Sequence, residues 1–153
     1  MMGFYRPEAP PAEFSTEGAG SRRTNEGGHT VPAKRPEEIC RLFQHAMAEG
    51  DIDSVLSVYD PEVVFLNQSR DITRGREGLR QELAPLAAVR ARFDFTIKQV
   101  IEAGDIALMH TEWTVSGPQP MKVYAIEVAR RQPDGTWCWL IGDPFTVGRQ
   151  VGS

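Results

Sequence analysis

Only two cysteines occur in the 153 residues, Cys40 and Cys138, and no metal-ligand spacing relates them. They fall on different expected elements, which excludes a disulfide framework and fits free thiols in a reducing cytoplasm. No apolar run approaches the ~20 residues that a membrane helix needs. The N-terminus lacks the apolar stretch of a secretory signal. The three histidines, His29, His45 and His110, are scattered without H-x-x-x-H or H-E-x-x-H spacing. No metal and no other cofactor is therefore expected. Basic clusters are also missing: the dense pairs are only Arg22-Arg23, Lys34-Arg35 and Arg130-Arg131, within a net charge of −4. That balance offers no electrostatic footprint for nucleic acid. A cytoplasmic protein with no nucleic-acid and no membrane partner is the expectation.

What is present is an ordinary globular composition, 41% hydrophobic and 25% charged. It suits one domain with a real core. Residues 1–35 mix Pro, Gly, Ser, Glu and Arg with few large apolar groups, so a disordered tail is expected there. The domain spans 36–148, and 149–153 form a short C-terminal tail. In "RPEEICRLFQHAMAEGD", Ile39, Leu42, Phe43, Ala46 and Met47 make one helical stripe, opened by Pro36 and closed by Gly50. Asp51 caps a second short helix through "IDSVLSVYD", with Tyr59 inward. "EVVFLNQ" reads as a strand, and "GREGLRQELAPLAAV" as a third helix disturbed by Pro85. Four long alternating segments follow from Phe93, separated by Gly104-Asp105, "GPQP" and "QPDG". Helices first and strands last predict an α+β fold with three helices on a curved, mainly antiparallel sheet.

The stretches "AEGDIDSVLSVYDPEVVF", "GREGLRQEL" and "DGTWCWLIGDPF" resemble the nuclear transport factor 2-like superfamily. Within it, the SnoaL-like and ketosteroid-isomerase-like proteins are the most similar. The resemblance covers roughly residues 36–147. It implies a cone-shaped α+β barrel around an apolar cavity, and usually a homodimer, here through the outer sheet face. The superfamily hosts isomerases, cyclases, epoxide hydrolases, dehydratases and binders, so the fold does not choose among them. An ungapped alignment from Gly50-Asp51 puts Glu127 where steroid isomerases keep an oxyanion-binding aspartate. Asn67 falls at the proton-abstracting aspartate and Phe43 at the hydrogen-bonding tyrosine. Asn67 is no base and Phe43 has no hydroxyl, which argues against steroid isomerisation.

Hairpin register selects the remaining candidates. A tight "QPDG" turn opposes Gln132 to Thr136, and a four-residue "GPQP" loop opposes Ser116 to Met121. Counting back pairs His110 with Glu127 and brings Glu112 and Asp143 to the same face. Carboxyls crowded in an apolar pocket have raised pKa values, as acid–base catalysis requires. Glu127, His110 and Asp143 are the candidate catalytic residues. Asn67, Glu112, Trp139, Tyr59, Phe43 and Phe65 are the candidate ligand-binding residues. The expected partner is a small hydrophobic molecule. The expected function is cofactor-free isomerase, cyclase or hydratase chemistry on an apolar carbonyl compound. The alternative is a non-catalytic hydrophobic-ligand binder or dimeric interaction module.

Overall fold

Helices gather at the N-terminal half because the apolar stripes there have helical period. The computed structural model describes residues 31–117 and 120–151, backbone only for 149–151. The expected tail therefore lies outside the described residues up to position 30. Within 31–35, Ala33 is already buried and pairs with Trp137.

Helix α1 (Glu38–Glu49) buries Ile39, Cys40, Phe43, Ala46 and Met47. The Glu38 carboxylate accepts from the Lys34 backbone N–H at 2.8 Å, tying down the entry. Gly50 ends the helix at φ 72, a left-handed conformation that glycine adopts without a Cβ penalty. Helix α2 (Ile52–Ser57) is capped by Asp51, which accepts from the Ser54 N–H at 3.1 Å. Strand β1 (Tyr59–Leu66) then starts earlier than the sequence suggests, and Tyr59 is a strand residue rather than a helical one. A short β2 (Ile72–Arg74) folds back on it, and α3 (Gly75–Ala88) runs through Pro85. Strands β3 (Arg92–Ala103), β4 (Ile106–Ser116), β5 (Met121–Arg131) and β6 (Trp137–Asp143) form the meander. Helix α4 (Thr146–Val151) runs across the expected boundary between the domain and the tail of 149–153.

The sheet has six strands in the order β2-β1-β6-β5-β4-β3 and is curved but not closed. Only the β1–β6 pair is parallel. Its inner face packs against the helices, and alternation is clean along β4: Ala107, Met109, Thr111, Trp113 and Val115 are buried, and His110 and Thr114 are exposed. Two irregularities shape the sheet. In β6, Leu140 is an extra residue: Ala129 pairs with Trp139, but Val128 pairs with Ile141. In β1 the ladder to β6 jumps from Tyr59 to Val64, and this interruption contains Pro61, which has no N–H to offer.

The β1 interruption is held from across the sheet. The buried Asp60 carboxylate accepts from Arg130 at 2.9 and 3.0 Å and from Gln132 at 2.9 Å. Desolvation pushes the Asp60 pKa up, but the hydrogen bonds from Arg130, Gln132 and the Glu62 backbone outweigh it and leave it lowered. At the other side, Arg76 donates twice to the Tyr59 carbonyl, at 2.6 and 2.8 Å, fixing the start of α3 to β1. Among the described residues, no helix is long and apolar enough to cross a membrane.

Candidate functional site

An apolar cavity of about 120 Å³ lies between the concave sheet face and the helices. Its walls are aromatic. Phe43 on α1 is the hub, with ring centroids 5.1 Å from Phe93, 5.4 Å from Trp113 and 5.7 Å from Trp139. Tyr59 lies 5.4 Å from Trp139. Most of these contacts are edge-on or tilted, the arrangement favoured by ring quadrupoles. Phe65, Leu83, Leu86, Met121, Pro144 and Phe145 also line it.

Into this carbon-lined space the sheet delivers one carboxyl. Glu127 sits on the inner face of β5, paired with Met109 on β4 and Gly142 on β6. Gly142 leaves room beside it: a Cβ there would meet the Phe65 ring at 3.0 Å. Glu127 is buried and its Oε1 has no hydrogen-bond partner. Burial raises its pKa from 4.5 to about 8, with the nearby Thr111 and Trp113 side chains opposing the rise. At neutral pH Glu127 is therefore mostly an uncharged acid, able to donate a proton or a hydrogen bond. The Trp139 indole Nε1 is a second buried group without a partner. Tyr59 is pushed well above the usual phenol range by burial, then by Glu127 and Cys40, so it stays neutral too.

The structure separates the expected catalytic group. The β4–β5 register is one residue away from the expected one: Val115, not Ser116, opposes Met121, so His110 pairs with Ile126 and Glu127 with Met109. That slip sends His110 and Glu112 to the outer face, with Glu112 3.8 Å from Lys122. The physical reason is burial: this register puts Met109, Trp113 and Val115 inside and leaves His110 and Thr114 outside. The Leu140 bulge does the same to Asp143, which pairs with Ile126. Its carboxylate accepts from the Phe145 and Thr146 N–H groups at 3.4 and 3.1 Å, at the start of α4. Asn67 also lies off the cavity. Its Oδ1 accepts from the Ser69 and Asp71 N–H groups at 2.9 Å, and its Nδ2 donates to Glu82. It shapes the β1–β2 turn.

Phe43, Tyr59, Phe65 and Trp139 do line the cavity, together with Glu127. Sequence reasoning missed Trp113, Phe93, Val115 and Thr111 as inner-face residues. The apolar-polar alternation within β4 places Trp113 opposite to His110, but only the register to β5 decides that the Trp113 face is the one carrying Glu127. Among the described residues no cluster of His, Cys, Asp or Glu could hold a metal.

No curated protein matches the chain at a significant level. Solved structures do. A nuclear transport factor 2-like protein of unknown function from Shewanella oneidensis is 13% identical, with a TM-score of 0.62 over 72% of this chain and 95% of that one. A proposed dehydratase of the same family from Streptomyces avermitilis is 20% identical, with a TM-score of 0.57 over 72% and 93%. The epoxide hydrolase/cyclase-like enzyme SalBIII is 15% identical, with a TM-score of 0.52 over 71% and 88%. At these identities the likeness shows the fold. The family model of the SnoaL-like domain matches residues 39–139. With that match spanning most of the folded chain, the protein belongs to the SnoaL-like family of the nuclear transport factor 2-like superfamily.

Proposed function

We propose that the cavity binds a small, largely apolar molecule carrying one acceptor oxygen, a carbonyl or a phenol, and that Glu127 is its hydrogen-bond donor and general acid. The observation behind this reading is a neutral carboxyl, one oxygen of it without a hydrogen-bond partner, in a pocket otherwise made of aromatic and aliphatic carbon. Trp139, whose Nε1–H is buried without a partner, belongs to the same lining. A volume near 120 Å³ suits about one ring. Among the described residues Glu127 is the sole carboxyl on the lining, and His110 is outside it. Chemistry in the cavity therefore uses Glu127 alternately as acid and base, which a pKa near neutrality permits. Proteins of this fold named as a proposed dehydratase and as epoxide hydrolase/cyclase-like fit acid-assisted chemistry on an oxygen. Two free cysteines suit the reducing cytoplasm expected for the chain.

Single-ring phenols and cyclic enones, titrated by the fluorescence of Trp113 and Trp139, test the reading. The enone should bind saturably and lose affinity above pH about 8, where Glu127 ionises. Glu127→Gln keeps a neutral donor, so its affinity should be retained and flat with pH. Glu127→Leu should bind about tenfold more weakly. An enone affinity independent of pH and indifferent to Glu127→Leu would overturn it.

The outer sheet face supports a second reading beside the first, a homodimer. Cross-strand pairing aligns Ile101, Leu108, Val128 and Ile141 in one apolar row over four strands. Ile101, Leu108 and Ile141 are 49%, 36% and 41% exposed in the single chain. A second copy of this face, related by a two-fold axis, would cover the row. Light scattering should give a dimer mass, and Leu108→Glu a monomer; a wild-type monomer at high micromolar concentration rules this out.

A further inference from the structure

One cross-strand row of the inner face runs through the cavity carboxyl. Met109, Glu127, Gly142, Phe65 and Thr73 are successive partners on β4, β5, β6, β1 and β2. Glu127, Gly142 and Phe65 all line the cavity. Gly142 does not take a positive φ, so its backbone would accept a side chain. Its glycine is needed for space instead: a Cβ there would lie 3.0 and 3.3 Å from Cδ2 and Cε2 of Phe65. The Phe65 ring thus rests on bare β6 backbone, with Glu127 on the other side of that glycine. The edge of the sheet behind the ring is anchored. Thr73, its partner on β2, donates from Oγ1 to the Glu82 carboxylate at 3.1 Å, and Asn67 Nδ2 donates to the same oxygen at 3.1 Å. Thr73 also lies against α3, where a Cβ at Gly78 would be 2.9 Å from its Cγ2.

We propose that Phe65, seated on Gly142, is the specificity-determining residue of the cavity: it limits the ligand to a single ring and excludes fused bicyclic ones. The inference rests on the functional reading for the ligand's oxygen and adds the ligand's size. In a close-packed interior, a wall that cannot retreat sets the limit. The cavity of about 120 Å³ holds about one ring and leaves no space for a second. Along this row only the Gly142 backbone stands between the ring and the acid. Space released at Phe65 is therefore continuous with the space beside Glu127. A ligand held by its oxygen at Glu127 could then extend a second ring over Gly142. A methyl group at Gly142 acts in the opposite sense, lifting the Phe65 ring off the sheet and into the hollow. The substrate class is a monocyclic enone or phenol.

Calorimetric titration of the full chain tests this with phenol, 2-naphthol and their oxygen-free counterparts, benzene and naphthalene. The wild type should bind phenol about tenfold more tightly than 2-naphthol, or better. Phe65→Ala should move that ratio toward 2-naphthol by about tenfold. Should Phe65→Ala not fold, Phe65→Leu replaces it and should move the ratio in the same direction. Gly142→Ala should weaken phenol binding about tenfold, and adding Phe65→Ala to it should remove most of that loss. An unchanged ratio in a folded Phe65 variant, or wild-type phenol affinity in Gly142→Ala, overturns the inference. The hydrocarbons separate it from the functional reading. If their ratio follows Phe65 while phenol gains nothing over benzene and ignores Glu127→Leu, only the functional reading fails. If phenol depends on Glu127 but the naphthol ratio ignores Phe65, only this inference fails. Binding of none of the four sinks both.

Discussion

Glu127 is a residue whose ionisation the fold itself holds back. An unfolded chain would ionise this carboxyl near 4.5, whereas the fold holds it to about 8. Between those values the native state binds a proton that the unfolded state has lost. The stability contribution therefore falls as pH rises through this window, by roughly 1.4 kcal/mol per pH unit at most, and levels off above pH about 8. Glu127→Gln removes the effect. Urea denaturation at pH 5 and pH 9 should show the variant gaining on the wild type at the higher pH; equal differences at both would contradict the buried acid. Sequence resemblance singled out Glu127, because an acid at that position on an otherwise apolar strand is visible without coordinates. It could not say that His110 lies on the opposite face.

That failure belongs to the elements rather than to residues. The helices, with their caps at Asp51 and Gly50, and the four long strands were legible from period and turn chemistry. The "QPDG" turn was placed correctly too, since Gln132 does oppose Thr136. Two one-residue quantities were not legible. The β4–β5 connection is one residue longer than a "GPQP" loop, and β6 carries Leu140 as an extra residue. Neither leaves a composition signal, yet each reverses the face of every residue beyond it. The bulge makes a specific expectation. Deleting Leu140 keeps Gly142 opposite Glu127 and Asp143 opposite Ile126, whereas deleting Cys138 moves Trp139 off the inner face. Thermal melts should show the Leu140 deletion folded with a modestly lowered Tm and the Cys138 deletion unfolded. Equal damage from both would mean that register does not set the interior of β6.

Across the whole molecule, one set of rings serves as core and as cavity wall. Phe43 touches helices and sheet at once, with Tyr59, Phe93, Trp113 and Trp139 all around it. Phe43→Ala should cost about 3–5 kcal/mol, a large share of the 5–15 kcal/mol typical of a domain. Phe43→Leu should cost much less and preserve the fold, as chemical denaturation can measure. Ligand occupancy would offset part of the loss, since filling the hollow stabilises only the folded form. A tight interior and a receptive one are here the same set of side chains, so the room available to a ligand is bounded by what the fold can spare.

Asp143 is no part of that lining, yet its carboxylate pins the backbone of Phe145 and Thr146, and Pro144 and Phe145 do belong to the lining. One stretch of the cavity wall is thus held from the far side of the sheet. Loosening that hold would free two lining residues without altering any group that faces the hollow.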